Sequence, residues 1–206
     1  KLYIVSNPFA MIEIYCKMIN LDYELISLED LKKKKLDNQS AMYIANPNGF
    51  DGTSSDISKF INRFKFIIAD EVYADFYDKY SLLNNSQQNL IIIKSLSKSL
   101  GVAGFRVGFS ISSYKIAKEI QKLRTSQVTS SIASIVVPEI INLTKDVILR
   151  MNESKSFLEQ EYDCKKSNAN YVLFKQKNKY TEKFGSREVN EYHRMALTDM
   201  DTLSKV

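Results

Sequence analysis

Five short apolar runs, set at intervals through the first half of the chain, constrain its fold more than any other feature. They are Lys1 to Val5, which alternates weakly, Tyr23 to Ile26, Ala41 to Ala45, the β-branched Lys65 to Ala69, and Leu90 to Ile93, which is β-branched and bounded by polar residues. Runs of that length and make-up read as strands. The stretches between them read as helices. Asn7-Pro8 opens one that extends to about Ile19, Ser27-Leu28-Glu29-Asp30 supplies the cap of a second, and Thr53 to Phe64 fits a capped amphipathic third. Asn46-Pro47-Asn48-Gly49 ends the third run sharply. Strands alternating with helices imply an α/β fold built on a mostly parallel sheet.

Past the fifth run the pattern changes. Val107 to Ser110 is a short strand and Lys115 to Arg124 a charged amphipathic helix. From Ser131 to about Tyr162 the spacing is helical, with Pro138 breaking or kinking it, as in a bridge between domains. Tyr171 to Phe174 and Arg194 to Leu197 are strand-like, separated by a polar linker from Lys175 to Asn190, so the tail reads as a small α+β unit. The expected division is a large domain over 1–128, and an interdomain helix with a small domain over 129–206.

Composition narrows the function classes. A chain of 206 residues with 44% hydrophobic and 26% charged residues is long enough to bury a substantial core and has an ordinary globular balance. No apolar run approaches a membrane span and the first residues lack a signal-peptide layout, so a cytoplasmic protein without a membrane partner is expected. Cys16 and Cys164 have no partner spacing, and His193 is the sole histidine, which demotes metal and serine-hydrolase chemistry. Net charge is +5, and the run Lys32 to Lys35 carries no interleaved aromatics, so it reads as a solvated face and no nucleic-acid partner is expected.

Chemistry concentrates between Ser95 and Gly108, in SLSKSLGVAGFRVG. Lys98 emerges just past a strand end, among Ser95, Ser97 and Ser99. Gly101 and Gly104 let the backbone pass close to something, and Arg106 follows. The combination suits an anionic ligand. A lysine in an apolar pocket loses part of its ammonium stabilisation, and the neutral amine then attacks a carbonyl to form a Schiff base. Pyridoxal 5'-phosphate needs such an amine, and a phosphate cradle that serine hydroxyls and a forked guanidinium supply. Without the glycines and the arginine, a Ser-x-Ser-Lys segment would be an ordinary solvated loop.

The segment resembles the cofactor-lysine signature of fold-type I pyridoxal-phosphate enzymes of the class I/II aminotransferase group, in its histidinol-phosphate aminotransferase branch. The resemblance implies that Lys98 forms the Schiff base and that Ser95 and Arg106 hold the phosphate with help from Ser97. It also implies that Asp70, in FIIADEVYADF, pairs with the pyridinium nitrogen, and that Tyr73 offers its hydroxyl to the cofactor's phenolate oxygen. Asn48 lies in a loop similar to Asn-Pro-x-Asn-Pro-x-Gly. There Gly49-Phe50 replaces the usual Asn-Pro, leaving the ring contact open between Asn46 and Asn48. Arg194, in YHRMAL, is similar to the small-domain arginine that holds the substrate carboxylate, and Asn170 to an asparagine near the same site.

The expected protein is therefore a partial fold-type I large domain with a small α+β domain. It moves an amino group between an amino acid or amino-alcohol phosphate and a 2-oxo acid, as a homodimer when complete. Decarboxylation of an amino acid phosphate would use the same residues, and a non-catalytic fragment keeping the fold is the third reading. Family members carry a further segment before the position matching Lys1, so these residues alone are expected to bind the cofactor weakly.

Overall fold

The computed structural model describes residues 1–124 and 129–206. The first part alternates β1 (Leu2–Val5), α1 (Met11–Met18), β2 (Tyr23–Ile26), α2 (Leu28–Lys33), β3 (Ala41–Ala45), β4 (Phe66–Asp70), β5 (Leu90–Ser95), α3 (Leu96–Ser99), β6 (Gly108–Ser112) and α4 (Tyr114–Lys122). Its six strands form one sheet in the order β2-β1-β3-β4-β5-β6. The first five are parallel and β6 runs antiparallel to β5.

Both faces of the sheet are packed around its central strands. Alternate residues point opposite ways, so Tyr3, Val5, Met42, Ile44, Ile67, Ala69, Leu90 and Ile92 bury one face with Leu31, Ile57 and Phe60. Leu2, Ile4 and Tyr43 bury the other face with Cys16 of α1. Two-sided burial is why β1 and β3 are apolar along their length.

The second part contains α5 (Ser131–Ile140), α6 (Thr144–Glu161), β7 (Cys164–Lys165), β8 (Tyr171–Phe174), α7 (Lys179–Phe184), β9 (Arg187–Val189), β10 (Tyr192–Ala196) and α8 (Met200–Leu203). Four antiparallel strands lie in the order β7-β8-β10-β9. One face, with Val172, Phe174, Met195 and Leu197, packs on Leu158 of α6, Tyr180 of α7 and Leu203 of α8. Tyr171, Leu173 and Val189 of the other face pack against Phe50 and Tyr73 of the first part. The second sheet thus sits on the loop that follows β3.

Several expected elements differ. Thr53 to Phe64 is not an amphipathic helix: a 3-10 segment covers just Ser58–Arg63. The side chains of Asp51 and Asp56 accept from the backbone amides of Thr53 and Ser58, and Asn46 and Ser55 exchange hydrogen bonds, so local turn bonding displaces helical bonding. The helix expected from Asn7 begins at Met11. Pro138 sits inside α5 without ending it, and the interruption falls in the 3-10 turn Ile141–Leu143. The linker from Lys175 to Asn190 holds α7 and β9. The expected boundary at 128 falls outside the described residues. Among those residues no helix is long and apolar enough to cross a membrane, and no group of three or more His, Cys, Asp or Glu is placed to hold a metal.

Candidate active site

Ligands of open parallel sheets bind at the carboxyl ends of the strands, and the candidate residues gather there. Asp70 ends β4, Ser95 ends β5 one strand over, and the loop from Asn46 to Gly52 follows β3. Asp70 is partly buried. The Tyr43 hydroxyl donates to its Oδ2 at 2.6 Å, and the Val72 amide to its Oδ1 at 3.2 Å. Burial holds this carboxyl above its ordinary value of 3.8, with the Tyr43 and Val72 bonds pulling the other way.

That balance gives a sign to its pH dependence. An acid whose pKa is higher folded than unfolded binds more protons in the folded state, so its contribution to stability is full below the unfolded value and is lost as pH rises through the folded one. Tyr43→Phe removes a bond that favours the carboxylate. The loss in stability should be about 1.5–3 kcal/mol near neutrality and should shrink as pH falls toward the unfolded carboxyl value. Urea unfolding of both proteins across that range measures it; an equal loss at all pH values would exclude the Tyr43–Asp70 linkage.

Lys98 lies in α3, directly after β5. Ser95 caps this turn, its Oγ accepting from the Ser97 amide at 3.1 Å and lying 2.9 Å from the Ser97 hydroxyl and 3.2 Å from the Val107 carbonyl. The two serines therefore lie together. Arg106 is next to Val107, in the left-handed region at φ 55°, but its exposed guanidinium donates to Ala103 of its own turn rather than to the serines. Among the described residues, a Cβ at Gly101 or Gly104 would meet nothing within 4 Å, so none of them takes the close approach expected there.

Tyr73 joins the two halves of the site. The Lys98 ammonium lies 5.5 Å from the centre of its ring, and Nη2 of Arg194 lies 3.4 Å from its hydroxyl. Arg194 comes from β10, donates through Nη1 to the Gly49 carbonyl at 2.9 Å, and stacks on Tyr171 with 3.8 Å to the ring centre. Tyr171 meets Tyr73 edge to face and donates to the Asn48 carbonyl at 3.2 Å. Burial pushes the Tyr171 hydroxyl pKa up, against the pull of Arg194.

The side chain of Asn48 is buried and spent on the Asn7 carbonyl (3.2 Å) and the Phe50 amide (2.8 Å). That of Asn46 is spent on the backbone of Ser55. Both asparagines thus shape the loop, and Gly49 is the loop residue that reaches Tyr73 and Arg194. Asn170 precedes β8, half-buried, and its carbonyl accepts from the Leu197 amide at 3.0 Å. Gly49, Tyr43 and Tyr171 were not singled out from the sequence. Tyr43 and Tyr171 sit inside strand patterns that look purely structural, and Gly49 acts through its backbone.

Lys94 offers a contrast. It points to Asp75, whose carboxylate holds its ammonium in a largely buried ion pair. Of the two lysines near the end of β5, Lys98 is the one beside Tyr73.

The model of the family "Aminotransferase class I and II" matches residues 12–193. A histidinol-phosphate aminotransferase of Buchnera aphidicola subsp. Cinara cedri is 30% identical over 194 residues, covering 84% of this chain and 54% of that protein. The chain spans about half the length of that relative. The crystal structure of the histidinol-phosphate aminotransferase from Clostridium acetobutylicum aligns over 99% of this chain and 74% of its own, with a TM-score of 0.78 and 21% identity. The Sinorhizobium meliloti histidinol-phosphate aminotransferase, solved in complex with pyridoxal-5'-phosphate, aligns over 98% and 67% with a TM-score of 0.76 and 16% identity. The lysine turn and the aspartate at the carboxyl ends of a parallel sheet, with a family match running through nearly the whole chain, lead to one conclusion: this chain belongs to the class I and II aminotransferases, a pyridoxal-phosphate-dependent family.

Proposed function

We propose that the chain contributes the lysine, the ring-binding residues and the carboxylate receptor of an aminotransferase that exchanges an amino group between an amino acid or amino-alcohol phosphate and a 2-oxo acid. The observation that carries this reading is Tyr73, with an amine against its ring and a guanidinium at its hydroxyl. An amine and an anion receptor on two sides of one aromatic suit a substrate that is both carbonyl or amine and acid.

The residues fit pyridoxal 5'-phosphate by the chemistry of the donor set. Lys98 would hold its aldehyde carbon, Asp70 its ring nitrogen, Tyr73 its phenolate oxygen, and Ser95, Ser97 and Arg106 its phosphate. When bound, the ring supplies an electron sink for the pair left at the substrate Cα. The partly buried Asp70 would keep a proton on the ring nitrogen. Once free, the Lys98 amine would move the proton at the substrate Cα. Arg194 orients the substrate by its carboxylate, or by a phosphate where the donor has no carboxylate. Asn170, whose carbonyl accepts from the Leu197 amide just past β10, would serve the same substrate, whereas Asn48 serves the site through the loop it closes. The homodimer implied by the resemblance is part of this reading, with exposed Ile132 and Ile135 of α5 as apolar surface for a partner to cover.

Expressed from its whole reading frame and given the cofactor, the protein should convert a 2-oxo acid into an amino acid with one of a panel of amino acids and amino-alcohol phosphates. Carbon dioxide release without a new amino acid would replace transamination by decarboxylation. Arg194→Lys loses the planar two-point contact, so the KM for amino acid donors should rise roughly tenfold with cofactor affinity unchanged. Unchanged donor kinetics would remove Arg194 from substrate recognition.

A further inference from the structure

We propose that Gly49 is a positioning residue, whose missing side chain and whose carbonyl together fix Tyr73 and Arg194 relative to each other. A Cβ built on Gly49 would lie 3.1 Å from Cε2 of Tyr73 and 3.9 Å from Cδ2, so the ring occupies the space that any larger residue would need. Backbone freedom is not the reason for glycine here. The glycines with positive φ are Gly52, Gly101 and Gly185, and Gly49 has a conformation open to any residue. What position 49 demands is room for the tyrosine.

The same residue grips the arginine. Its carbonyl accepts from Nη1 at 2.9 Å, while Nη2 meets the Tyr73 hydroxyl and the guanidinium face rests on Tyr171. A guanidinium has five N–H donors in a rigid fork. With these contacts made, the plane of the guanidinium is fixed, and an incoming carboxylate finds the remaining donors already held in place. Pushing the Tyr73 ring away by a few tenths of an ångström would loosen its hydroxyl from Nη2 and free the fork to turn.

The fixed geometry stands by itself; its use for a carboxylate rests on the function proposed above. The test is modification of arginine by phenylglyoxal, followed by peptide mapping, in the wild type, Gly49→Ala, Tyr73→Leu and the double variant, each with and without 2-oxoglutarate. Gly49→Ala should raise the reaction rate at Arg194 by about tenfold, the equivalent of one freed hydrogen bond, while exposed Arg187 reacts as before. In the Tyr73→Leu background, which removes the ring, Gly49→Ala should add no further increase, and that pair keeps the comparison open if Gly49→Ala alone folds poorly. An unchanged Arg194 rate in Gly49→Ala, or the same increase in both backgrounds, would overturn the proposal. A rate that responds to Gly49 without protection by 2-oxoglutarate would uphold the positioning and remove the carboxylate role.

Discussion

Lys98→Ala should abolish covalent attachment of pyridoxal phosphate and lower transamination by at least about a thousandfold, since one residue both holds the cofactor and moves the Cα proton. The fold should not suffer. Lys98 is half-exposed in a four-residue helix, and its recorded contact is with the face of Tyr73. Its removal should therefore change the unfolding free energy by about 0.5 kcal/mol or less. Absorbance of the bound cofactor and urea denaturation measure the two effects separately. Activity lost in proportion to stability would show that the lysine is structural.

The second large effect is on stability and lies at Gly52. Its φ is +70°, and a Cβ there would sit 2.2 Å from Oγ of Ser167, 2.7 Å from its Cβ and 2.9 Å from its Cα. A rotating hydroxyl could evade such an intrusion; a Cα cannot. The neighbouring backbone is also fixed, by the Asn168 amide donating to the Gly52 carbonyl at 2.8 Å and by Lys155 of α6 holding the Ser167 and Ala169 carbonyls. Gly52→Ala should thus cost about 3 kcal/mol or more, combining left-handed strain with a clash at the junction of the two sheets. Gly104→Ala, with open space at its Cβ, should cost no more than about 1 kcal/mol. Equal urea midpoints for the two variants would refute the account of this junction.

Much of this architecture was legible because burial imprints itself on sequence. β1, β3 and β4 carry packed side chains on both faces and β5 buries Leu90 and Ile92, so each shows as an apolar run, and the lysine turn follows directly from where the last run stops. The sheet ends also locate Asp70 and Ser95, which need no long-range information. α7 was illegible for a local reason: its capping box uses Asn178 with Thr181 where the common signature has an acid or amide at the third position, and it spans six residues. The 3-10 segment at Ser58–Arg63 was hidden because Asp51, Asp56 and Asn46 divert the preceding backbone into turns.

Long-range pairings were out of reach in principle. Arg194 was recognisable as an arginine in a strand near a site, but its partner Gly49 lies 145 residues away and contributes a carbonyl, which no sequence pattern marks. The choice between Asn46 and Asn48 was open for the same reason. That both amides are spent on backbone depends on where Asn7 and Ser55 come to rest.

The most direct measurement of the central claim is borohydride reduction of the whole-reading-frame protein with pyridoxal phosphate, followed by peptide mapping of the labelled lysine. Lys98 should carry the label, because its amine lies beside Tyr73 at the sheet's carboxyl end while the ammonium of Lys94, four residues earlier, is held by Asp75. Label on Lys94, or spread evenly over the surface lysines, would contradict it.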